Sequence, residues 1–260
     1  MNSIRTKFTL LTVCAVIVSL GIATYIGVTS IKNLGNSGAE QMLSLVCRTG
    51  KLNLESYISG VEHSVQAVTT LVQESMDGVS DDQLHRHVER ARNLFGQIAN
   101  NTNGVLTYYY RIDPEISKEV KGFWYVNLDG KGFKENEVTD ISQFDTNDTS
   151  RLVWFTVPKA TKKGLWLPPY YTENLVKRVI SYNAPVYHND LFIGVIGIEI
   201  DYGTLTREVE NIRLFDNGYA FILDAKGDVI YHPFLETSSL SKLKTSDYPV
   251  GDAKLRYLSE

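Results

Sequence analysis

Cysteine is scarce, with two in 260 residues. Two thiols cannot build a disulfide-dense scaffold or a four-cysteine zinc site. Nor can they pair within the chain, because Cys14 and Cys47 would stand about 50 Å apart along one helix. Proline and glycine number only seven and nineteen, which excludes collagen-like and low-complexity chains. An excess of basic charge is also missing. The formal net charge is −4, so no nucleic-acid partner is expected. The phosphate-loop signature GxxxxGK[ST] is absent, as are GxGxxG, GxSxG and HExxH. Nothing assembles a nucleophile with a base. This chain is therefore not expected to be an enzyme in itself or to hold a cofactor.

What is present points to a globular chain with a membrane anchor. Apolar residues make up 43% and charged residues 22%, too much of the first for a disordered chain. Fifteen tyrosines suit a recognition surface as well as a sheet. No charge interrupts Phe8–Ile31, between Lys7 and Lys32. As a helix this run is about 36 Å long and crosses a ~30 Å hydrocarbon core. It exceeds the ~7–15-residue core of a cleaved signal peptide, and a helical pattern continues beyond it. Arg5 and Lys7 place residues 1–7 in the cytoplasm by the positive-inside rule. The bulk of the chain is then outside the plasma membrane.

Residues 32–78 read as a long stalk helix. Leu54, Ile58, Val61, Val65, Val68 and Val72 recur with spacings that alternate between four and three, as in a heptad stripe. Such a stripe packs on a sheet or on a second copy of the helix, so a homodimer through the stalk is expected. Asp77-Gly78 ends it. Ser80 and Gln83 resemble a capping box for a second helix, which carries Leu84, Val88, Ala91, Phe95 and Ile98. At Asn100–Gly104 turn chemistry intervenes. Strands are expected at 105–112, 122–127, 153–158, 177–187 and 192–200, with a surface loop over 135–150 and a short helix over 204–212. A further hairpin is expected at 218–233. Helices followed by runs of strands indicate an α+β fold with an antiparallel sheet. WYVNLDGKG (124–132) is echoed by FILDAKGD (221–228), which suggests two modules. The first spans 79–215. The second, 216–260, has too few residues for a whole sheet module, so only its start is expected here.

From Trp154 to Asp201 the chain reads W-F, GLW-x-x-PYY, ISY-x-x-P-x-Y and IGV-x-G-x-E-x-D. This pattern resembles the double Cache (dCache) extracellular sensor domains of bacterial transmembrane receptors. It is most similar to those of Clostridia-type diguanylate cyclases and hybrid histidine kinases. The hairpin GYAFILDAKGDVIYHP (218–233) is similar to the start of their membrane-proximal module. The resemblance implies a PAS-like distal module that binds a small ligand, often an amino acid or amine. It also implies signalling down the stalk helix.

Strand alternation assigns the chemistry within this pattern. Ile196, Ile198 and Ile200 share one face; Val195, Gly197, Glu199 and Asp201 share the other. Gly197 is expected to leave room for a ligand. Glu199 offers charge, and a carboxylate among aromatic rings suits an ammonium group. The expected ligand-binding set is Trp154, Phe155, Trp166, Tyr170, Tyr171, Tyr182, Glu199 and Asp201. Three departures from the family pattern bear on the ligand. Leu152 stands where amino-acid sensors carry the Arg that grips a carboxylate. Glu199 replaces the usual Asp, and Phe155 replaces Tyr. An amine without a carboxylate, or an unrelated small metabolite, therefore fits as well as an α-amino acid.

No metal site is expected. His85 and His87, two apart, point to different helix faces and read as surface residues. Asp140, Asp145 and Asp148 share a loop but lack EF-hand spacing. Alternative identities are an intact diguanylate cyclase or histidine kinase with its catalytic part beyond residue 260, a chemoreceptor, or an anchored binding protein without output.

Overall fold

A computed structural model of the chain describes residues 4–149, 151–172, 174–213, 218–223, 227 and 229–235. The chain divides into two units, Met1–Gly50 and Lys51–Glu260.

The first unit is helical, formed by the leading part of α1 (Ile4–Glu74). Its apolar side chains are exposed, Leu20 and Ile26 among them. By length and composition the helix is able to cross a membrane. Its hydroxyls bond within the helix. Thr12 donates to the Phe8 carbonyl at 3.1 Å, Ser19 to Val16 at 2.9 Å, Thr24 to Leu20 at 2.8 Å and Thr29 to Tyr25 at 2.9 Å. Bonding back by one turn satisfies a hydroxyl where no water is at hand. Cys14 and Cys47 are free thiols.

In the second unit, α1 from Lys51 onward and α2 (Asp81–Asn101) bury their stripes against one face of a sheet. Val61, Val65, Val68 and Val72 are buried, as are Leu84, Val88, Ala91 and Phe95. Ser80 N–H donates to Gln83 Oε1 at 3.2 Å, within the capping box at the start of α2. The sheet has six antiparallel strands: β1 (Val105–Ile112), β2 (Gly122–Val126), β3 (Lys134–Asn136), β4 (Leu165–Thr172), β5 (Lys177–His188) and β6 (Leu191–Asp201). Their order is β3-β2-β1-β6-β5-β4. β1 and β6 form the centre, which is why they read as long apolar runs. Helix α4 (Tyr202–Glu210) follows β6 directly, with Asp201 accepting from Thr204 N–H at its start. A small hairpin of β7 (Ile222–Leu223) and β8 (Val229–Tyr231) ends the described chain. It is tied back by Tyr202, which donates to Ile230 O at 2.7 Å, and by Tyr231, which donates to Glu210 at 2.7 Å. Most of the module expected over 216–260 lies outside the described residues.

Four expectations need correction. Residues 153–158 form no strand; they lie in helix α3 (Val153–Thr161). Local β-propensity yields there to packing. The Leu152 carbonyl accepts from Phe155 and Thr156 N–H at 2.7 and 2.9 Å, and Phe155 and Pro158 turn to the same buried side. The segment over 135–150 is not wholly loop, because its first two residues, Glu135 and Asn136, belong to β3. β4 carries Pro168 and Pro169, where no strand is expected from the sequence, yet it is one. It lies at the sheet edge, where a missing N–H breaks no ladder, and its register shifts between Leu167 and Tyr170. His87 is not on the surface. It lies 1% exposed in the core, with Nε2 3.1 Å from the Tyr110 hydroxyl and Nδ1 without a partner among the described residues.

Helix α3 and the segment before it cover the other face of the sheet. One buried ion pair fastens them. Lys159 Nζ lies 2.8 Å from Asp113 Oδ2 and donates to Thr146 at 2.7 Å. Arg111 holds the same segment by donating to Thr139 O at 3.1 Å.

Two outcomes are expected from thermal melts of the full chain in detergent micelles. Asp113 is 2% exposed, so Lys159→Met strands a buried carboxylate and is expected to cost about 3 kcal/mol. An unchanged melt would show the pair to be dispensable. Burial, aided by nearby Arg90 and His188, lowers the His87 imidazole from 6.5 to about 4. The unfolded chain takes up that proton near 6.5, whereas the folded chain does so only near 4. Stability is therefore complete above 6.5 and falls as pH drops toward 4. His87→Leu with Tyr110→Phe replaces both partners by apolar groups. This double variant is expected to melt less steeply with pH across that window.

Candidate functional site

The face of the sheet beneath α3 is where sequence alternation and side-chain chemistry converge. Pairing lines up Thr107, Glu199 and Ser181 across β1, β6 and β5, with Tyr109, Gly197 and Asn183 in the next row. Because strand side chains alternate, all of these point away from the helices α1 and α2. Two apolar clusters flank them. One contains Leu106, Val126, Leu175 and Val179, with Trp124 and Tyr170 packed on it. The other contains Ile141, Phe155 and Val195, with Leu152, Trp154 and Phe192.

Between the clusters runs a hydrogen-bonded chain that ends on Glu199. Tyr109 donates to Asn183 Oδ1. Asn183 Nδ2 donates to Ser181 Oγ at 2.8 Å, and Ser181 Oγ lies 3.2 Å from the Tyr170 hydroxyl. Tyr170 donates to Glu199 Oε1 at 2.5 Å, and Thr107 donates to Oε2 at 2.9 Å. Every group touching the carboxylate is a neutral donor. Burial therefore raises the Glu199 carboxyl above its ordinary range, against the pull of the two hydroxyls. Burial also raises the Tyr109 and Tyr170 phenols, and the neighbouring Glu199 charge adds to this.

The cations on this face are engaged elsewhere. Lys159 faces Asp113, and Lys177 faces Asp201 at 2.7 Å. Arg111 spends its fork on main-chain carbonyls: Thr139 at 3.1 Å, Ile112 at 2.9 Å and Lys121 at 2.8 Å. Among the described residues Glu199 has no ion-pair partner. A buried carboxylate served only by hydroxyls favours an incoming cation.

The structure brings together only part of the expected residue set. Glu199 and Tyr170 are in direct contact. Trp154 joins through Tyr109, its ring edge-on at 5.3 Å. Phe155 is fully buried in the apolar floor under α3. Asp201 is bound to Lys177 and caps α4; burial works to raise its carboxyl, but Lys177 and the Gly203 and Thr204 N–H groups hold it below the ordinary range. Tyr171 is 58% exposed. Trp166 and Tyr182 stand on the opposite face, against α1, where Trp166 donates to Glu62 at 2.6 Å and Tyr182 accepts from Gln66 at 3.1 Å. The pleat dictates this, since Tyr182 pairs with Ile198 and not with Glu199. The room expected above Gly197 is filled. A Cβ there would meet the Asn183 amide oxygen and come within 2.6 Å of the Tyr109 hydroxyl. Thr107, Tyr109, Ser181 and Asn183 were missed. Their signal was polar residues at every second position of otherwise apolar strands.

Asp140 and Asp145 cap their own turns, accepting from Ser142 and Asn147 N–H at 3.0 and 2.9 Å. Among the described residues no three His, Cys, Asp or Glu side chains converge as metal ligands.

Comparison with known proteins places this architecture. The methyl-accepting chemotaxis protein PscA of Pseudomonas syringae pv. tomato is 24% identical over 102 residues, which cover 39% of this chain and 16% of that protein. The match thus spans less than a fifth of its curated relative. Two solved structures share the fold. One is titled methyl-accepting chemotaxis protein X, with a TM-score of 0.57, 15% identity, and 78% of this chain and 76% of that chain covered. The other is the ligand-binding domain of the amino-acid chemoreceptor PctC of Pseudomonas aeruginosa in complex with GABA, with a TM-score of 0.52, 16% identity and coverage of 80% and 82%. A family model described as Cache domain (dCache) matches residues 29–258. Matched over most of its length, the chain belongs to the Cache-domain family.

Proposed function

We propose that this chain is the extracytoplasmic small-molecule sensor of a membrane signal-transduction receptor. In this reading residues 1–7 are cytoplasmic and 8–31 cross the plasma membrane. Residues 32–78 form the stalk and pair with a second copy in a homodimer. The module 79–215 binds the ligand, and 216–260 begin a membrane-proximal module. The signal passes along α1, the helix that holds both the apolar run and the buried valine stripe. The output belongs to another part of the intact polypeptide, a chemotaxis module, diguanylate cyclase or histidine kinase.

One observation carries the ligand class. Glu199 is a buried carboxylate with neutral donors and, among the described residues, no cation, so a monocationic ligand completes it. For the carboxylate of an amino acid, none of the three cations Arg111, Lys159 and Lys177 is free. Leu152 occupies the gripping position of amino-acid sensors, and Arg111 and Lys159 are already committed. The GABA bound to PctC also presents an ammonium group, which supports the cationic half of this recognition. The reading therefore favours a small amine without a carboxylate. A ligand that binds one arrangement of the sheet better than another shifts the receptor by that difference.

Matched pairs test this on the full chain in detergent micelles. Calorimetry with phenethylamine and L-phenylalanine, and with isoamylamine and L-leucine, is expected to show tighter binding of each amine. Amino acids binding as tightly as their amines would exclude the amine reading. Glu199→Gln is expected to weaken amine binding at least about tenfold, the loss of a charge-assisted contact. Without ligand the same variant is expected to gain about 1 kcal/mol in melts at neutral pH, because a buried charge is removed. That gain should vanish as pH falls through the raised Glu199 value toward 4.5, where the native carboxyl is already protonated. A Glu199→Gln variant that binds amines like wild type would remove Glu199 from the site.

A further inference from the structure

The site is closed by its own side chains. Tyr109 and Asn183 occupy the space above Gly197, and both are buried. A ligand extending from Glu199 along β6 meets the Tyr109 phenol first. That phenol is held by two contacts of different kinds: its hydrogen bond to Asn183 and the edge of Trp154 on its ring.

Trp154 belongs to α3, and both ends of α3 are unusual. Leu152 before it has φ 47°, and Lys162 after it has φ 56°. Left-handed backbone costs a non-glycine residue about 1–2 kcal/mol. A short helix bounded by two such residues carries its strain at its ends, where a hinge would relieve it. Among the described residues the covering segment is also tied by the Lys159–Asp113 pair, by the Arg111 and Asn174 contacts with Thr139, and by the packing of Ile141 and Phe155 on Val195.

We propose that Tyr109 is the gate of the site, its phenol swinging out of the space above Gly197 together with Trp154 and α3 when a ligand enters. This rests on the assignment of the Glu199 face as the ligand site. The closed form then lowers apparent affinity, because binding must first break the Tyr109–Asn183 bond.

Two measurements on the full chain in detergent micelles test it, one of them without ligand. Gly197→Ala pushes the phenol toward α3. Amides of Val153–Thr161 are expected to exchange hydrogen about tenfold faster, while β1 and β6 keep their protection. Unchanged α3 exchange, or equal loosening of every strand, would overturn the gate. Tyr109→Phe keeps the ring and removes the hydrogen bond. It is expected to bind phenethylamine about three- to tenfold tighter than wild type, the worth of one hydrogen bond to the closed form. Equal or weaker binding would overturn the gate and make the hydroxyl a structural group or a direct ligand contact. If neither protein binds phenethylamine while α3 still loosens in Gly197→Ala, the amine reading falls and the gate stands.

Discussion

The pleat of β6 is the constraint on which the rest depends. Because its side chains alternate, Ile196, Ile198 and Ile200 must all enter the helix-facing core, and Gly197 and Glu199 must then face the other way. A slip of one residue would bury a carboxylate among the valines of α1 and expose the isoleucines. Burial of three branched side chains, about 1.5–3 kcal/mol each, locks that register. Glu199 is thereby held away from water as a consequence of where its neighbours go.

That placement links site and scaffold. β6 passes directly into α4, with Asp201 capping the helix and Tyr202 bonded to Ile230 in the hairpin. Only Ile200 separates the Glu199 carboxylate from the capping residue. A small change in how β6 sits against β5 and β1 therefore reaches the β7–β8 hairpin without crossing a flexible loop. Interactions of this kind, two packed elements sharing a junction, bias discrete arrangements more readily than they deform.

Much of this was legible in the sequence, and the exceptions share a cause. The valine stripe of α1, the Ser80–Gln83 cap and the β6 alternation were readable because each follows a period set by backbone geometry alone. The motif from Trp154 to Asp201 identified the family. What periodicity does not encode is which face a strand's neighbour presents. Tyr182 and Trp166 are aromatic and close in sequence to the site, yet their parity sends them to α1. Trp154 and Phe155 looked like strand residues because aromatics favour strands. The Leu152 turn and the burial of Phe155 against Val195 decided otherwise. His87 was invisible as a core residue because its partner, the Tyr110 hydroxyl, lies 23 residues away in sequence. Tyr109 was hidden in a run of three tyrosines, of which only the middle one faces Gly197.

The hydroxyls of α1 have a consequence of a different sort. Thr12, Ser19, Thr24 and Thr29 all bond to carbonyls of their own helix. Rotation of the helix about its axis, or a shift along it, therefore breaks none of these bonds. Helices that cross a membrane are often pinned by polar side chains reaching to neighbours. In this apolar helix these four hydroxyls are turned onto their own backbone, as on a smooth shaft in a bearing. The segment resists bending through its ladder of hydrogen bonds, while these hydroxyls add no friction to turning.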